Sequence, residues 1–504
     1  MIQTKLEGGT TDRAVGRSST APAKHEGILL VCAALALAIP CVWQRHIEAM
    51  DLPSHVYNAW LASLIAHGEI SGVKLVHPLT NVLGDWILSA GLSAFGPAWA
   101  ARIVCIIAVE AFFWGMFALA SAVSGRRVWA IVPFLAMLAY SVVFYFGFLT
   151  FYLATACSVW MLAVSWRFSR SRLWIACALA GLGFLASPLP VAWAICMIGY
   201  IYLARSISRW ANVVLLVTGA GCLFVVRSAV MKLFLCHPSQ AHADLFSFLR
   251  IIGALEFDPF QMQYLFLAAG VMLLGTAVFL VRVTDPTERF GPLAQLWLLN
   301  AFAFVALPSR IRFPVYGADL WFIQERIAFF LVIIFFAWAA KAMRGKGFTA
   351  LCSLVALVYF VLLFVDQRAL NRADEEIGFL VAQLPPRQKV VSSIHDEGAR
   401  VNGLEHILDW ACIGRCFDYA NYEPSSLQFR VQTTGPNEVA AWVNGTAVEI
   451  EAKEHIVTAE EAPLYSVCPS SVPGRRFALR KLEAGEKTCS FSLPVTPALG
   501  RLFR

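Results

Sequence analysis

The chain has 504 residues, 59% of them hydrophobic and only 14% charged, with a formal net charge of +7 and a mean hydropathy of +0.65. Soluble globular chains sit near 45–50% apolar and about 25% charged, so the composition excludes an ordinary soluble protein and indicates a polytopic membrane protein. The basic surplus is spread over short loops with no nucleic-acid motif beside it, so the pI near 8.8 implies no nucleic-acid partner.

Residues 1–26 are polar and Ser/Thr/Gly-rich, with Lys5, Arg13, Arg17 and Lys24, and read as a disordered cytoplasmic tail without a cleavable signal. A bilayer-crossing helix needs roughly 20 apolar residues. Eleven segments are candidates: 27–43, 97–123, 128–147, 149–167, 173–187, 190–205, 210–232, 262–282, 291–307, 324–341 and 347–366. The division of 173–205 at Ser187–Pro190 follows from proline, which lacks a backbone donor and disfavours helix in the residue before it. Charge supports it. With eleven spans the basic clusters Arg126/Arg127, Arg167/Arg170/Arg172, Arg205/Arg209, Arg282/Arg289 and Lys341/Arg344/Lys346 all fall on the cytoplasmic side. The C-terminus is then outside.

The first outer loop, residues 44–96, is long for a connector. Asp51 opens an amphipathic helix over Ala49–Ala66, and His77–Pro97 reads as a second interfacial helix ended by Gly96–Pro97. Long loops are more often functional than idle, although two such helices could also simply seal the rim. Glu110 lies near the middle of the second span, where a carboxylate is costly and marks a candidate functional group or a hydrogen-bonded packing residue. Arg102 and Arg227 lie near the outer ends of their spans, where they can snorkel. His237, His242 and Asp244 in the loop 235–261 match no strong zinc spacing and read better as a polar cap. Arg310, Arg312 and Arg326 cluster near one outer interface. Guanidinium groups suit phosphate bidentately, while a lipid-binding basic belt would use the same residues.

From residue 367 to 504 the apolar runs shorten and turn signals appear, predicting a small extracytoplasmic α/β domain. Leu380–Ile394 reads as helix, turn and strand, and Asn437–Ile450 as strand-like segments around an Asn–Gly turn. Asn444-Gly-Thr446 matches an N-glycosylation acceptor pattern. Of thirteen cysteines, Cys412, Cys416, Cys468 and Cys489 lie in this region, where an oxidising compartment permits disulfides. Cys412–Cys416 and Cys468–Cys489 are the simplest pairing.

One span, an outer loop opening on an acidic residue and carrying two interfacial helices, about ten further spans and an outer C-terminal domain: this layout resembles the integral-membrane C-type glycosyltransferase superfamily, with protein O-mannosyltransferases and bacterial aminoarabinose transferases among its members. The carriers are Asp51 in MDLPSHVYNAWL, the segment HPLTNVLGDWILSAGLSAFGP leading into a span that ends at Ser124–Arg127, and the arginine-led ERIAFFLVII from Glu325. The resemblance covers residues 27–366. It implies a bacterial inner-membrane enzyme moving a sugar, with inversion, from a polyprenyl-phosphate donor to a cell-envelope acceptor on the outer face. Asp51 would be the catalytic base. An Asp–Glu pair is frequent in the superfamily, whereas Leu52 follows Asp51 here, which makes a metal-dependent variant less expected.

Elementary chemistry fits that reading. A lipid-phosphate sugar is already activated, so no nucleotide site is needed, and no GxxxxGK[ST] motif is present. Transfer requires a base near the acceptor hydroxyl and cations where charge develops on the leaving phosphate. Arg310, Arg312 and Arg326 are the candidate phosphate ligands, with Lys74 a further one. His55 and His77 are candidates to orient the acceptor, and Tyr57, Trp60 and Trp86 to stack on sugar faces, with Glu110 in reserve. No cofactor or metal ligand set is expected; the partners are the bilayer, the donor and an acceptor of unknown class. Two rival classes use the same residues: a transporter or flippase of a lipid-linked or anionic substrate, and a non-catalytic envelope scaffold. No internal repeat of the kind common in transporters is visible.

Overall fold

The computed structural model describes residues 24–497, apart from 168, 238–244, 262, 285–288, 314–317, 427 and 444. Most of the predicted tail, together with His242, Asp244 and Asn444, therefore lies outside the described residues.

The first half of the chain is helical. In order come α1 (Lys24–Ala38), α2 (Leu52–Ala66), β1 (Val73–Leu75), α3 (Leu83–Phe95), α4 (Pro97–Ser124), α5 (Val132–Ala139), α6 (Val142–Tyr145), α7 (Leu149–Ser165), α8 (Arg170–Ala186), α9 (Pro188–Ser206) and α10 (Arg209–Leu233). Then follow β2 (Leu235–His237), α11 (Leu245–Ile251), α12 (Gln263–Arg282), α13 (Pro292–Ala306), β3 (Arg310–Phe313), β4 (Ala318–Leu320), α14 (Ile323–Ala339) and α15 (Lys346–Val381). The remainder mixes short elements: β5 (Lys389–Val391), β6 (Ile394–Asp396), α16 (Ile407–Cys412), β7 (Phe417–Asp418), α17 (Tyr422–Ser426), β8 (Val431–Thr433), α18 (Thr446–Ala452), β9 (Leu464–Pro469), β10 (Phe477–Leu482) and β11 (Phe491–Leu493).

Among the described residues, five helices are long and apolar enough to cross a membrane: α4, α9, α10, α12 and α15. In α10 no residue is fully buried, and Val213, Val217, Phe224 and Val225 are open along one broad face. Such a surface suits hydrocarbon rather than water. The apolar helices suggest a membrane protein. The break at Ser187 is as proline chemistry predicts: α8 ends at Ala186, Ser187 is extended, and Pro188 starts α9. Residues 128–147, predicted as one span, are instead divided into α5 and α6 by Tyr140 and extended Ser141. Buried hydroxyls take up the carbonyls that this break frees, Tyr152 donating to Ala139 O at 2.7 Å and Tyr359 to Tyr140 O at 2.5 Å.

Two further expectations change. The helix expected from His77 begins only at Leu83, because Asn81 takes a left-handed φ of 59°. The strands expected around Asn444–Gly445 are absent among the described residues; Thr446–Ala452 forms α18 instead.

The 36-residue α15 is about 54 Å long at 1.5 Å per residue, well beyond a hydrocarbon core of about 30 Å. Its first half exposes Leu351, Leu354, Leu357 and Val361, whereas its second half buries Asp366, Gln367, Asn371 and Asp374. It runs without interruption from apolar surroundings into the C-terminal region, so no linker marks residue 367. In that region β10, β9, β5 and β7 form a four-stranded sheet, antiparallel between β10 and β9 and parallel elsewhere, while β11 pairs parallel with β6. Disulfides Cys412–Cys416 and Cys468–Cys489 are both present, which is the predicted pairing. β1 of the first loop pairs antiparallel with β8, and one apolar core runs from Leu52 and Val56 of α2 to Leu408, Trp410 and Phe417. The C-terminal region is seated on the first loop.

Candidate functional site

The seat is α2. Its apolar face packs inward, and its polar residues meet the C-terminal region. Tyr57 is fully buried, its hydroxyl accepting the Asp418 backbone N–H at 2.9 Å. Asn58 and Asn421 exchange side-chain amide bonds of 3.2 and 2.9 Å across 363 positions of sequence. Trp60 stacks on Phe417 at 6.2 Å. α2 is thus a buried element rather than an interfacial helix with a wet face. Tyr57 has no open face for a sugar, because folding uses it to dock β7.

Asp51 stands at the start of α2, at the edge of this seam. Its backbone N–H donates to Phe146 O at 3.2 Å, and the Met50 N–H to Tyr145 O at 2.9 Å. Gly147, with φ +74°, passes so close that a Cβ there would lie 2.6 Å from both Asp51 N and Leu52 N. The carboxylate, with 17% side-chain exposure, makes no cap bond to its own helix. Its Oδ1 lies 3.6 Å from His406 Nε2, and His406 Nδ1 lies 3.1 Å from Glu451. One turn along, His55 Nδ1 is 3.2 Å from Glu423.

Around Asp51 the C-terminal region is acidic and the histidines take up charge. Burial by itself depresses His55, but its contact with Glu423 outweighs this and, with help from Asp51 and Asp85, raises it to about 9. Burial likewise depresses His406, yet Glu451, Asp51 and Glu405 hold it well above its ordinary value. Glu451 is pushed up to about 7 by burial, partly countered by His406. Asp409 and Asp418, buried side by side, are both raised, first by burial; a shared proton explains the pair.

The opposite side of Asp51 is cationic and aromatic. Arg326, at the start of α14, is close enough for Asp51 to act on its charge. Its guanidinium lies over Phe148 at 4.3 Å and Phe151 at 4.6 Å, and its Nε donates to Trp321 O. Arg310 covers the same Trp321 ring at 3.4 Å, so Trp321 joins these two predicted phosphate ligands. A narrow apolar crevice lined by Ala49, Leu52, Gly147, Phe148 and Tyr152 opens beside Asp51.

The other predicted residues lie apart. Arg312 is exposed on β3. Lys74 faces outward on β1, opposite Gln432, and His77 is exposed in the loop after it. Glu110 accepts the Trp114 indole N–H at 2.7 Å within α4, which fits the packing role. Trp86 is half exposed on α3. Sequence reasoning missed Glu405, His406, Glu423 and Glu451. No local pattern distinguishes them, since their meaning comes from docking onto α2.

Comparison with known proteins finds no matching family model, no matching curated protein and no matching solved structure.

Proposed function

We propose that this protein is a membrane-embedded glycosyltransferase that moves a sugar from a polyprenyl-phosphate donor to a hydroxyl of a cell-envelope acceptor, with Asp51 as general base. The eleven-span topology with an outer C-terminal region belongs to this reading. The observation that carries it is the setting of Asp51: a part-exposed carboxylate at the junction of apolar helices and a polar cap, with His406 on one side and the Arg326–Trp321–Arg310 cluster on the other.

In this mechanism the acceptor hydroxyl gives its proton to Asp51 and its oxygen bonds to the anomeric carbon. The bond from that carbon to the donor phosphate oxygen breaks, and the electron pair leaves with the polyprenyl phosphate. Arg326 and Arg310 face the charge that grows on the phosphate, where preorganised cations contribute most. The imidazolium of His406 sets a positive charge against Asp51. Aromatic faces carry Arg326, and its planar guanidinium suits bidentate contact with a phosphate.

The test is transfer of radiolabelled sugar from polyprenyl-phosphate donors by purified wild type and Asp51→Asn, matched for insertion and thermal stability. Wild-type transfer reduced by a factor of about 10³ or more in the variant is expected for loss of a base. Equal transfer by both removes Asp51 from the mechanism, and absence of wild-type transfer across a panel of donors rejects the reading.

A further inference from the structure

A second polar cluster lies just upstream of Asp51. His46, Glu48 and Asp374 each bring one ligand atom to a common point, all within 4.8 Å of one another. The segment before α2 is held there by α15. Gln367 brackets Glu48, accepting its backbone N–H at 2.9 Å and donating to its carbonyl at 2.8 Å. Asn371 brackets His46 in the same way, at 2.9 and 3.0 Å. Gln367, Asn371 and Asp374 follow one another at four- and three-residue steps, so they share one face of the helix. Trp410 of α16 stacks on the His46 ring at 4.4 Å and 11°, fixing its plane. These brackets are the supporting contacts that orient ligands at metal sites.

Glu48 is what this arrangement leaves unexplained. The residue is fully buried, and neither carboxylate oxygen has a hydrogen-bond partner. The Trp410 indole N–H acts on its charge without hydrogen-bond geometry. Asp374, with 5% side-chain exposure, adds a second carboxylate, and its bond to His46 Nδ1 at 2.7 Å leaves Glu48 unserved. Two buried carboxylates with one imidazole between them cost several kcal/mol unless a proton or a cation is shared.

We propose that His46, Glu48 and Asp374 form a divalent-cation site, best matched to Zn²⁺, that clamps the segment leading to Asp51 against α15. Imidazole nitrogen and carboxylate oxygen are both donors that Zn²⁺ accepts in a four-coordinate site completed by water, and the two carboxylates also suit Mn²⁺. Bonds of about 2.0–2.1 Å would spread the His46–Asp374 pair to a separation of roughly 3.3 Å, a small adjustment for side chains. His46, with 12% side-chain exposure, gives the ion a way in. The clamp joins two parts of the chain 328 positions apart, and it does not depend on the glycosyltransferase reading.

The experiment uses the full chain purified in detergent, stripped with chelator and then titrated with Zn²⁺ and, separately, Mn²⁺. Bound metal is counted by elemental analysis and stability is read by thermal unfolding. One Zn²⁺ per chain is expected, with unfolding moved several degrees upward on loading. Glu48→Gln should weaken binding by roughly 100-fold or more and abolish the thermal response. His46→Gln, at the more open position, provides the same readout where the buried substitution prevents folding. Wild type that takes up neither ion, or variants that bind as wild type does, would overturn the proposal in favour of a shared proton.

Discussion

The His55–Glu423 contact links the start of α2 to α17, and its strength depends on pH in a direction the structure dictates. His55 is raised from 6.5 to about 9, equivalent to about 3 kcal/mol at 1.36 kcal/mol per pH unit. A base whose folded value lies above its unfolded one gives stabilisation that is complete below pH 6.5 and lost as pH rises through 9. The figure is a ceiling. Glu423 is itself raised, because burial outweighs the help from His55, so the carboxylate returns part of the gain. Glu451, raised to about 7, and Glu256, raised to about 8, also make the fold less stable as pH climbs. The comparison must therefore be between wild type and Glu423→Gln, in which those groups persist. Asp51 and Asp85 stay beside His55 in the variant, so the measured difference falls below the ceiling. Thermal unfolding in detergent, followed from pH 6 to 10, should show wild type more stable than the variant at pH 6. The gap should narrow by up to about 3 kcal/mol by pH 9.5, a few degrees in a chain of this size. A gap that stays constant over that range would refute an ion pair between these residues.

Two further substitutions probe the frame around Asp51. Gly147→Ala combines a left-handed φ with a Cβ 2.6 Å from two backbone nitrogens; a loss of roughly 2–4 kcal/mol is expected, with sugar transfer falling further than stability as Asp51 shifts. Unchanged melting and transfer would show that the backbone approach at Gly147 is unimportant. Cys468→Ser with Cys489→Ser opens a crosslink spanning 21 positions, expected to cost about 3 kcal/mol by loop entropy. Reduction also opens Cys412–Cys416, so wild type and double variant should melt together under reductant, and equal melting of the two without reductant would contradict this.

Much of the helical architecture is legible in the sequence because its signals are local. Apolar run length places most of the helices from α1 to α15, and the SPLP break needs only the chemistry of proline. Asp51 could be singled out at the head of α2 for the same reason: an acidic residue between an apolar run and a helical pattern. The local pattern misleads where partners are distant. Residues 128–147 look like one apolar helix, and only the Tyr152 and Tyr359 hydroxyls, arriving from α7 and α15, make the break at Ser141 tolerable. Tyr57 and Trp60 look like interfacial aromatics, yet β7 covers them. The predicted boundary at 367 follows a fall in hydropathy, but a helix continues through it because Gln367, Asn371 and Asp374 have partners waiting in the first loop. Composition and period thus determined the apolar helices and the position of Asp51. Docking of the C-terminal region decided which charges surround it, since burial and short-range electrostatics depend on neighbours that no stretch of sequence contains.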